Sequence, residues 1–303
     1  MERDLSKTFW EERKNMKEQE FILKNPESFN LEHIFECGQC FRWNKQEDGS
    51  YTGIFKENVL NVKQEGSNFV FKGICKGDIK KEIEKYFDLN RNYEDMKNTL
   101  SKIDENVANS IKYGEGIRLL NQDLWETIIS FIISANNNIP RIKGIIERLS
   151  KKYGREIEWD GEKYYTFPTP EELKNATVQD FRELGLGFRD IRLSETVHMV
   201  LDGKVDLEKM HNKKDTLKIR EELLGLSGVG PKVADCILLF STLKRLEVFP
   251  IDVWVRRVMN ELYIKNADEN KVNKKEIERV AYEKFGNLAG IAQQYLFYWK
   301  REA

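Results

Sequence analysis

Lys232 and Asp252 are two ionisable residues that each stand at the predicted start of an amphipathic helix. Lys232 follows Pro231, a residue type favoured in the first turn of a helix. There the helix dipole and partial burial both disfavour the ammonium form, which favours the neutral amine. A neutral amine is a nucleophile for carbon centres and forms Schiff bases. The alternative is a lysine that contacts a nucleic-acid phosphate without catalysis.

Asp252 lies about twenty residues after Lys232, within the segment FPIDVWVRR (249–257). By itself, an acid at this position is best interpreted as a helix N-cap. The two roles are compatible, because a cap holds the carboxylate rigidly and leaves one oxygen free to face a developing cation. The pair therefore indicates nucleophilic chemistry assisted by a fixed negative charge.

The turn before Lys232 is rich in glycine: LSGVG (226–230) joins one predicted helix to the next in a helix-hairpin-helix pattern. Gly228 and Gly230 let the backbone turn tightly and approach another surface. The amides that follow, up to Val233, have no partner inside the helix and carry partial positive charge, so this turn predicts a phosphate-binding site. A weak structural cation at the hairpin carbonyls is a further expectation. A plain connection between two core helices is the alternative.

The elements that must position these residues fall into two groups. In residues 40–73, short β-rich runs alternate with turn clusters, which predicts an antiparallel meander. From residue 79 onward the apolar period becomes helical, and nearly all of the remaining chain is predicted as helices. The fold class is therefore α+β, with the sheet first. The predicted domains are residues 1–112 and 113–303, joined by a packed junction.

Helix starts in the second group are predicted from capping residues. Asp123 with Glu126 forms a capping box before LWETIISFIISA, and Thr177 with Asp180 opens the helix VQDFREL. The segment TPE (169–171) is predicted to open a helix of its own.

Composition limits the classes of function. The 303 residues carry 50 Lys+Arg against 51 Asp+Glu, a net charge of -1, so nucleic acid would bind only through a local basic patch. Apolar stretches are far shorter than the roughly 20 residues of a membrane-spanning helix. The charged start (MERDLSKTFWEERK) is unlike a signal peptide, so we expect a soluble protein of the reducing cytosol. Candidate phosphate-binding cations beside the hairpin are Lys232, Lys244, Arg245, Arg256 and Arg257.

The cysteines argue against a metal centre. An iron–sulfur cluster held by four C-terminal thiolates is excluded, because no cysteine follows Cys236. Cys37-x2-Cys40 with His33 has zinc-ligand spacing, but the second half of such a site is missing, since Cys75 is the one other nearby thiol. We therefore expect no metal site built from cysteine or histidine, no required cofactor and no disulfide.

Several segments beyond the hairpin match one protein family in order. They are GQCFRW (38–43), IRLLNQD (117–123), SANNNIPR (134–141), LGLGFR (184–189), LSGVGPKVADC (226–236), PID (250–252) and AGIAQ (289–293). This combination resembles the 8-oxoguanine DNA glycosylases of the helix-hairpin-helix superfamily. The resemblance covers nearly all of the chain after the first ~20 residues.

The resemblance implies an N-terminal TATA-binding-protein-like antiparallel β domain followed by an α-helical glycosylase domain. Lys232 would attack C1′ of the damaged nucleoside, release the base and form a Schiff base, after which β-elimination cleaves the strand on the 3′ side. Asp252 would stabilise the positive charge on the sugar and help to activate Lys232. The implied activity is that of a bifunctional glycosylase and abasic-site lyase in base excision repair.

Base chemistry in a duplex requires the nucleotide to be flipped into a pocket. The resemblance implies that the Gly38 carbonyl accepts from N7–H, the hydrogen that 8-oxoguanine has and guanine lacks. Cys236 and Phe297 would sandwich the ring, and Gln293 would bind its Watson–Crick edge. Judged from the pattern alone, Cys236 and Phe297 lie on helical faces typical of a protein core.

Four further positions are implied to face the opposite strand. Asn136, Arg141 and Arg189 match residues that hold the orphaned cytosine, whose O2 and N3 suit arginine donors. Phe188 stands where the family commonly has a tyrosine wedge, and it keeps an apolar face able to stack. Taken alone, NNNIPR (136–141) is a polar turn between helices.

Two positions depart from the family pattern: Trp254 replaces a histidine near the base, and Phe240 replaces a flexible, methionine-like residue of the pocket wall. Two alternatives stay open, a superfamily enzyme for alkylated purines or oxidised pyrimidines and a noncatalytic DNA-binding module. The Lys232/Asp252 pair argues against the module. The expected partner is double-stranded DNA containing 8-oxoguanine. We expect a monomer that binds no membrane and is cytoplasmic, at the nucleoid if the source is bacterial.

Overall fold

A five-stranded antiparallel sheet opens the fold; counted along the chain, its strands lie side by side in the order first, fifth, fourth, third and second. The computed structural model describes residues 16–268 and 272–302. The charged start, which we expect not to be a signal peptide, lies outside the described residues. The strands are β1 (Met16–Leu23), β2 (Trp43–Lys45), β3 (Tyr51–Phe55), β4 (Asn58–Glu65) and β5 (Asn68–Lys76). The predicted meander corresponds to β2 through β5.

Strand β1 is an addition to the predicted sheet. It pairs along its whole length with β5, from Met16 opposite Lys76 to Leu23 opposite Phe69. Its sequence MKEQEFIL is half-buried at best and rich in charge. Edge strands commonly carry charge, which weakens the apolar alternation that identifies a strand.

Helices make up most of the remaining chain. The first is α1 (Leu31–Phe35), which lies between β1 and β2. The others are α2 (Ile79–Tyr86), α3 (Tyr93–Ser101), α4 (Glu105–Tyr113), α5 (Leu124–Ser134), α6 (Ile139–Tyr153), α7 (Val178–Glu183), α8 (Asp190–Leu201), α9 (Leu207–Asn212), α10 (Thr216–Leu224), α11 (Pro231–Phe240), α12 (Val253–Met259), α13 (Lys274–Phe285) and α14 (Ala289–Glu302). Among the described residues, no helix is both long enough and apolar enough to cross a bilayer.

Two of the predicted helix starts are present. At α7, Thr177 Oγ1 accepts from the amide of Asp180 at 3.1 Å and the Asp180 carboxylate accepts from the amide of Thr177 at 2.9 Å, a complete capping box. At α5, Asp123 accepts from the amide of Glu126 at 2.9 Å. The reciprocal bond from Glu126, which a full box requires, is not formed among the described residues.

The helix predicted at residues 169–171 is wrong. Thr169 and Glu172 do exchange cap-type hydrogen bonds. However, the amide of Leu173 is shared between the carbonyls of Thr169 and Pro170, and the amide of Ala176 returns to Leu173. These short-range bonds close the chain into successive turns before an α-helix can propagate.

A small hairpin interrupts the helices and is a second addition to the prediction. Strands β6 (Glu156–Trp159) and β7 (Glu162–Tyr165) pair across Asp160 and Gly161, whose φ values are 53° and 77°. Asp-Gly between alternating residues is a strong signal for a two-residue hairpin turn with positive φ.

Two hydrophobic cores meet at residues 36–43. The sheet core contains Cys40 and Trp43. The helical core contains Cys37 and Phe41, and it also takes in residues of α3 and α4. The loop after α1 is therefore anchored in both cores. The α+β fold class, with an antiparallel sheet domain before a helical domain, is confirmed, and the boundary between residues 112 and 113 stays a prediction.

Candidate active site

Lys232 is the second residue of α11 and is partly exposed. Its Nζ lies 5.3 Å from the centre of the Phe131 ring. Within the described chain, no carboxylate lies within ion-pair distance of this amine. The cation thus contacts an aromatic face and remains uncompensated by an acid.

Asp252 caps α12, as the sequence predicts. Its Oδ1 accepts from the amide of Val255 at 2.8 Å, and its backbone is extended. The cap uses one oxygen, and the side chain is partly exposed. The helix therefore fixes the carboxylate while its second oxygen stays available.

Lys232 and Asp252 open onto one cavity. Its wall combines the loop after α1, one side chain of α5, one face of α11, the segment that leads into α12, and the middle of α14. The lining includes Gly38, Phe131, Lys232, Cys236, Phe240, Asp252, Gln293 and Phe297. The structure thus brings both residues of the predicted pair together with all four residues implied to bind a base.

Cys236 lies one helical turn after Lys232 and is buried. Burial raises the pKa of its thiol to about 11; Lys232 opposes this rise, whereas Asp235 and Asp252 add to it. The thiol is therefore neutral at physiological pH and presents a polarizable apolar surface. Because it responds to both charges, Lys232 and Asp252 lie within electrostatic reach of it.

Gln293 contributes an unsatisfied amide to the cavity. The side chain is 4% exposed, and its Oε1 has no hydrogen-bond partner among the described residues. Leaving such a group unpaired costs about 1–3 kcal/mol. A buried amide facing a cavity without a partner is the expected state of a group that binds a polar ligand.

The cavity is narrow. Its volume is about 40 Å³, which corresponds to roughly three water molecules and is far too little for a purine. Phe297 is the partly exposed aromatic of the wall, with the Arg301 guanidinium 5.1 Å from its ring centre. A base can therefore occupy this site only after lining side chains move.

Gly38 has a backbone conformation that only glycine adopts easily, with φ of 82°. A Cβ at this position would lie 3.2 Å from Arg301 Nη1 and 3.5 Å from Phe297 Cε1. The backbone conformation therefore favours glycine at this edge of the cavity, and a larger residue would also require Arg301 to shift slightly.

The helix-hairpin-helix is present, formed by α10 and α11. Gly228 has φ of 84°, and a Cβ there would lie 3.2 Å from both Arg192 Cβ and Ile132 Cγ2. Gly230 has φ of -90°, which any residue adopts, so the expected tight turn depends on Gly228 alone. A Cβ on Gly230 would meet nothing within 4 Å, which leaves its backbone open to a close external contact.

No side chain of the described residues caps the first turn of α11. Its N-cap is Gly230, whereas most other helices are capped by an Asp, Asn or Thr side chain. The first intrahelical bond comes from the amide of Ala234. The amides up to that of Val233 therefore have no intrahelical acceptor, which is the arrangement that binds an anion.

Phe188 is a large aromatic residue on the surface, 56% exposed, in a 3₁₀ turn (Gly187–Arg189) before α8. The guanidinium groups of Arg189 and Arg192 lie 4.2 Å and 5.4 Å from its ring centre. An exposed ring flanked by cations can stack on a base while the cations meet phosphates.

Arg189 is buried, in contrast to Phe188, which precedes it in the chain. It donates four hydrogen bonds to main-chain carbonyls, two to Ala135 and one each to Leu186 and Asn136. Asn136 is exposed and has φ of 51°. In this structure Arg189 therefore braces the Asn136 loop. Arg141 is exposed and donates to the Gly185 carbonyl at 3.2 Å.

Two candidate phosphate-binding cations are engaged inside the protein. Lys244 Nζ donates to the carbonyls of Leu119 and Leu120 at 2.8 and 2.7 Å, and burial lowers its pKa to about 7. Arg245 donates to the Lys213 carbonyl at 2.6 Å. Both side chains stabilise connections between helices and loops, so the expectation that they face DNA is not supported.

The two departures from the family pattern have different places. Phe240 belongs to the cavity wall and stacks on Phe131 with ring centres 5.7 Å apart. Trp254 is 46% exposed, with the Arg257 guanidinium 5.5 Å from its ring centre. Phe240 therefore shapes the pocket, whereas Trp254 belongs to the protein surface beside Asp252.

The described residues contain no group of three or more His, Cys, Asp and Glu side chains arranged for a metal ion. Cys37 and Cys40 are buried thiols that donate to the carbonyls of Ile34 and Phe35. The hairpin cation stays a prediction.

Comparisons with known proteins agree with this geometry. Residues 21–128 match the model of the 8-oxoguanine DNA glycosylase N-terminal domain, and residues 129–284 match the helix-hairpin-helix superfamily of base excision DNA repair proteins. An N-glycosylase/DNA lyase from Saccharomyces cerevisiae is 31% identical, across 90% of this chain and 84% of that protein. The chain belongs to the 8-oxoguanine DNA glycosylase family.

A solved structure agrees at the level of the whole chain. The Clostridium acetobutylicum 8-oxoguanine glycosylase/lyase, in complex with double-stranded DNA containing cytosine opposite 8-oxoguanine, is 44% identical. Its TM-score is 0.88, over 95% of this chain and 97% of that one. A probable N-glycosylase/DNA lyase from Methanothermobacter thermautotrophicus is 34% identical, across 72% of this chain and 74% of that protein. Family membership makes this chain a glycosylase/lyase of base excision repair.

The alkylation-repair alternative has weaker support. A 3-methyladenine DNA glycosylase from Archaeoglobus fulgidus has a TM-score of 0.73 but only 21% identity. That likeness extends to the fold alone.

Proposed function

We propose that this family member excises 8-oxoguanine from duplex DNA with Lys232 as the nucleophile. The observation that carries the proposal is the shared cavity of Lys232, Asp252 and the unpaired amide of Gln293. A nucleophile, a fixed carboxylate and a buried polar reader are the three groups that a base-excising site requires.

The reaction begins with attack of neutral Lys232 Nζ on C1′ of the flipped nucleotide. The bond from C1′ to N9 breaks, the base leaves with the electron pair, and a proton lost from Nζ neutralises it. Opening of the sugar then breaks C1′–O4′, O4′ takes up a proton from solvent, and an iminium, the protonated Schiff base, remains. Asp252 stabilises the positive charge that develops at C1′.

Strand cleavage follows by β-elimination from the same intermediate. Removal of a proton from C2′ lets the C3′–O bond break, and the 3′ phosphate leaves with the electron pair. The protonated imine is the electron sink for this step. The lyase reaction therefore needs Lys232, but it does not need a nucleobase bound in the pocket.

Base recognition divides between a carbonyl, an amide and two apolar surfaces. The Gly38 carbonyl accepts from N7–H, so guanine would leave it unpaired. Gln293 bonds the Watson–Crick edge. The neutral Cys236 thiol and the Phe297 ring hold the two faces of the base.

The opposite strand is held by the surface around Phe188. Phe188 fills the gap left by the flipped nucleotide. Arg141 and Asn136 bond the orphaned cytosine, and Arg189 joins them if its bracing contacts are released. The preference for cytosine then depends on donors that match its O2 and N3.

The partner is double-stranded DNA, bound by a monomer without a required cofactor. The amides at Gly228, Gly230 and Val233 bind one phosphate at the start of α11. Arg192 and Arg141 supply an uncompensated basic surface on a chain of balanced charge, so binding weakens with added salt.

The proposal is tested by measuring base release and strand cleavage separately, on duplexes with 8-oxoguanine opposite each of the four bases. We expect both products from the wild type, fastest opposite cytosine, and neither from Lys232→Gln. Base release without strand cleavage would replace the mechanism by a monofunctional one. DNA binding with neither product would leave a noncatalytic module.

A further inference from the structure

The loop after α1 carries four consecutive main-chain carbonyls beside the cavity, in residues 36–39. The second of them, at Cys37, accepts from Gln294 Nε2 at 2.6 Å. The fourth, at Gln39, accepts from Gln122 Nε2 at 2.7 Å. The first accepts from the Arg301 guanidinium. Side chains from distant parts of the chain thus hold every carbonyl of this segment except one.

The exception is the carbonyl of Gly38. Among the described residues, no group donates a hydrogen bond to it, although Gly38 lines the cavity. A glycine at φ of 82° rotates more freely than other residues. The orientation of its carbonyl must therefore be set by the peptide groups on either side.

Gln294 is the side chain best placed to set that orientation. It is 2% exposed, it follows Gln293 on α14, and its bond to Cys37 joins residues 257 positions apart. A buried amide is costly without a partner, so this bond is strongly favoured once α14 is packed. The bond fixes the peptide group that enters Gly38, while Gln122 fixes the peptide group that leaves Gln39.

We propose that Gln294 is a positioning residue for lesion recognition: by holding the Cys37 carbonyl, it keeps the Gly38 carbonyl free and oriented as the acceptor for N7–H of 8-oxoguanine. This inference rests on the proposed function. It predicts a selective defect, because among the described residues the Gln294 amide bonds to the Cys37 carbonyl and forms no hydrogen bond with Lys232 or Asp252, although all three line the cavity. Reactions that need the base to be read should slow, and reactions that need only the amine should not.

The test compares two reactions of one variant. Gln294→Met keeps the length of the side chain and removes the amide donor. Single-turnover release of 8-oxoguanine opposite cytosine should fall roughly tenfold. Cleavage of a preformed abasic site, which has no base to read, should stay within about twofold of the wild type. A second readout uses the Lys232→Gln background, where the preference in binding 8-oxoguanine over guanine duplexes should shrink by a similar factor.

The matched control is Gln64→Met. Gln64 also donates from its amide to a main-chain carbonyl, that of Gly66 at 3.1 Å, but on the exposed turn after β4. It should leave both reactions unchanged. If Gln294→Met does not fold, Gln294→Asn provides the same comparison, because its side chain is one carbon shorter and loses the bond to the Cys37 carbonyl.

Equal loss of both reactions in a folded variant, or loss of neither, would overturn the positioning role. A wild-type protein that cleaves abasic sites but releases no 8-oxoguanine would instead overturn the proposed function. The two failures are therefore distinguishable within one set of assays.

Discussion

The base pocket and the surface around Phe188 are two halves of one implied DNA interface, yet their polar groups are satisfied in opposite ways. In the pocket, among the described residues, Gln293 Oε1 has no hydrogen-bond partner and Lys232 has no carboxylate within ion-pair distance. Around Phe188, by contrast, Arg189 donates four hydrogen bonds to main-chain carbonyls of its own chain. The pocket thus has polar groups that can still form bonds, whereas Arg189 of the second surface already has its bonds within the protein.

This difference indicates what each region gives up for function. The pocket gives up stability, since an unpaired buried amide is costly. The surface around Phe188 is not ready to bind DNA in this structure, because Arg189 must break its internal hydrogen bonds before it can bond a base. The three predictions below are designed to separate these two kinds of site.

The largest effect is expected at Asp252, where the role of the carboxylate in base release can be separated from its role as a helix cap. Asn caps a helix as well as Asp does, so Asp252→Asn should change the unfolding free energy by less than about 0.5 kcal/mol. Loss of the fixed charge should lower the rate of base release by about 10²–10³-fold. Asp252→Ala should lose the same activity and, in addition, about 1 kcal/mol of stability. If Asp252→Asn releases the base as fast as the wild type, Asp252 serves only as a helix cap.

A smaller but substantial effect is expected within the Phe188 surface. Arg189→Met should lower the unfolding free energy by about 2–3 kcal/mol, because buried carbonyls lose their donors. Arg141→Met should cost less than about 0.5 kcal/mol, since its side chain is exposed, but it should weaken the preference for cytosine. Chemical denaturation and opposite-base kinetics measure the two quantities. If both variants are equally stable, Arg189 does not stabilise the fold more than Arg141 does, and the proposed difference between the two arginines is wrong.

The smallest effect has the opposite sign. Gln293→Met keeps the volume and removes an unsatisfied amide, so the unfolding free energy should rise by about 1 kcal/mol. The same change should slow release of 8-oxoguanine while leaving abasic-site cleavage intact. Denaturant unfolding of the variant beside the wild type checks the first expectation. A destabilised Gln293→Met would mean that the amide has a stabilising partner in solution.

The features that follow from local sequence are the ones that sequence analysis predicts best. The caps at Asp252 and Thr177 and the hairpin at Gly228 depend on residues three or four positions apart, so the pattern contains them. The pairing of Lys232 with Asp252 in one cavity needed the fold, but their spacing after a glycine turn already indicated it. The base-contacting roles came only from the family resemblance, because Cys236 and Phe297 have the pattern of core residues.

The features that the sequence analysis missed depend on contacts between distant residues or on weak patterns. Strand β1 is identified by its pairing with β5 rather than by its own alternation. The Asp160-Gly161 hairpin carried a readable turn signal that was outweighed by the helices on both sides. Lys244 and Gln294 have partners 125 and 257 positions away, and no local pattern distinguishes them from surface residues.

The central claim is that the Lys232 amine attacks the sugar, and borohydride trapping on duplexes containing 8-oxoguanine tests it most directly. The wild type should form a covalent adduct, most strongly opposite cytosine, and peptide mapping should place it on Lys232. Lys218→Gln, which removes an exposed lysine of α10, should trap as well as the wild type, and Lys232→Gln should not trap. An adduct that persists in Lys232→Gln, or no adduct from a folded, DNA-binding wild type, would contradict the account.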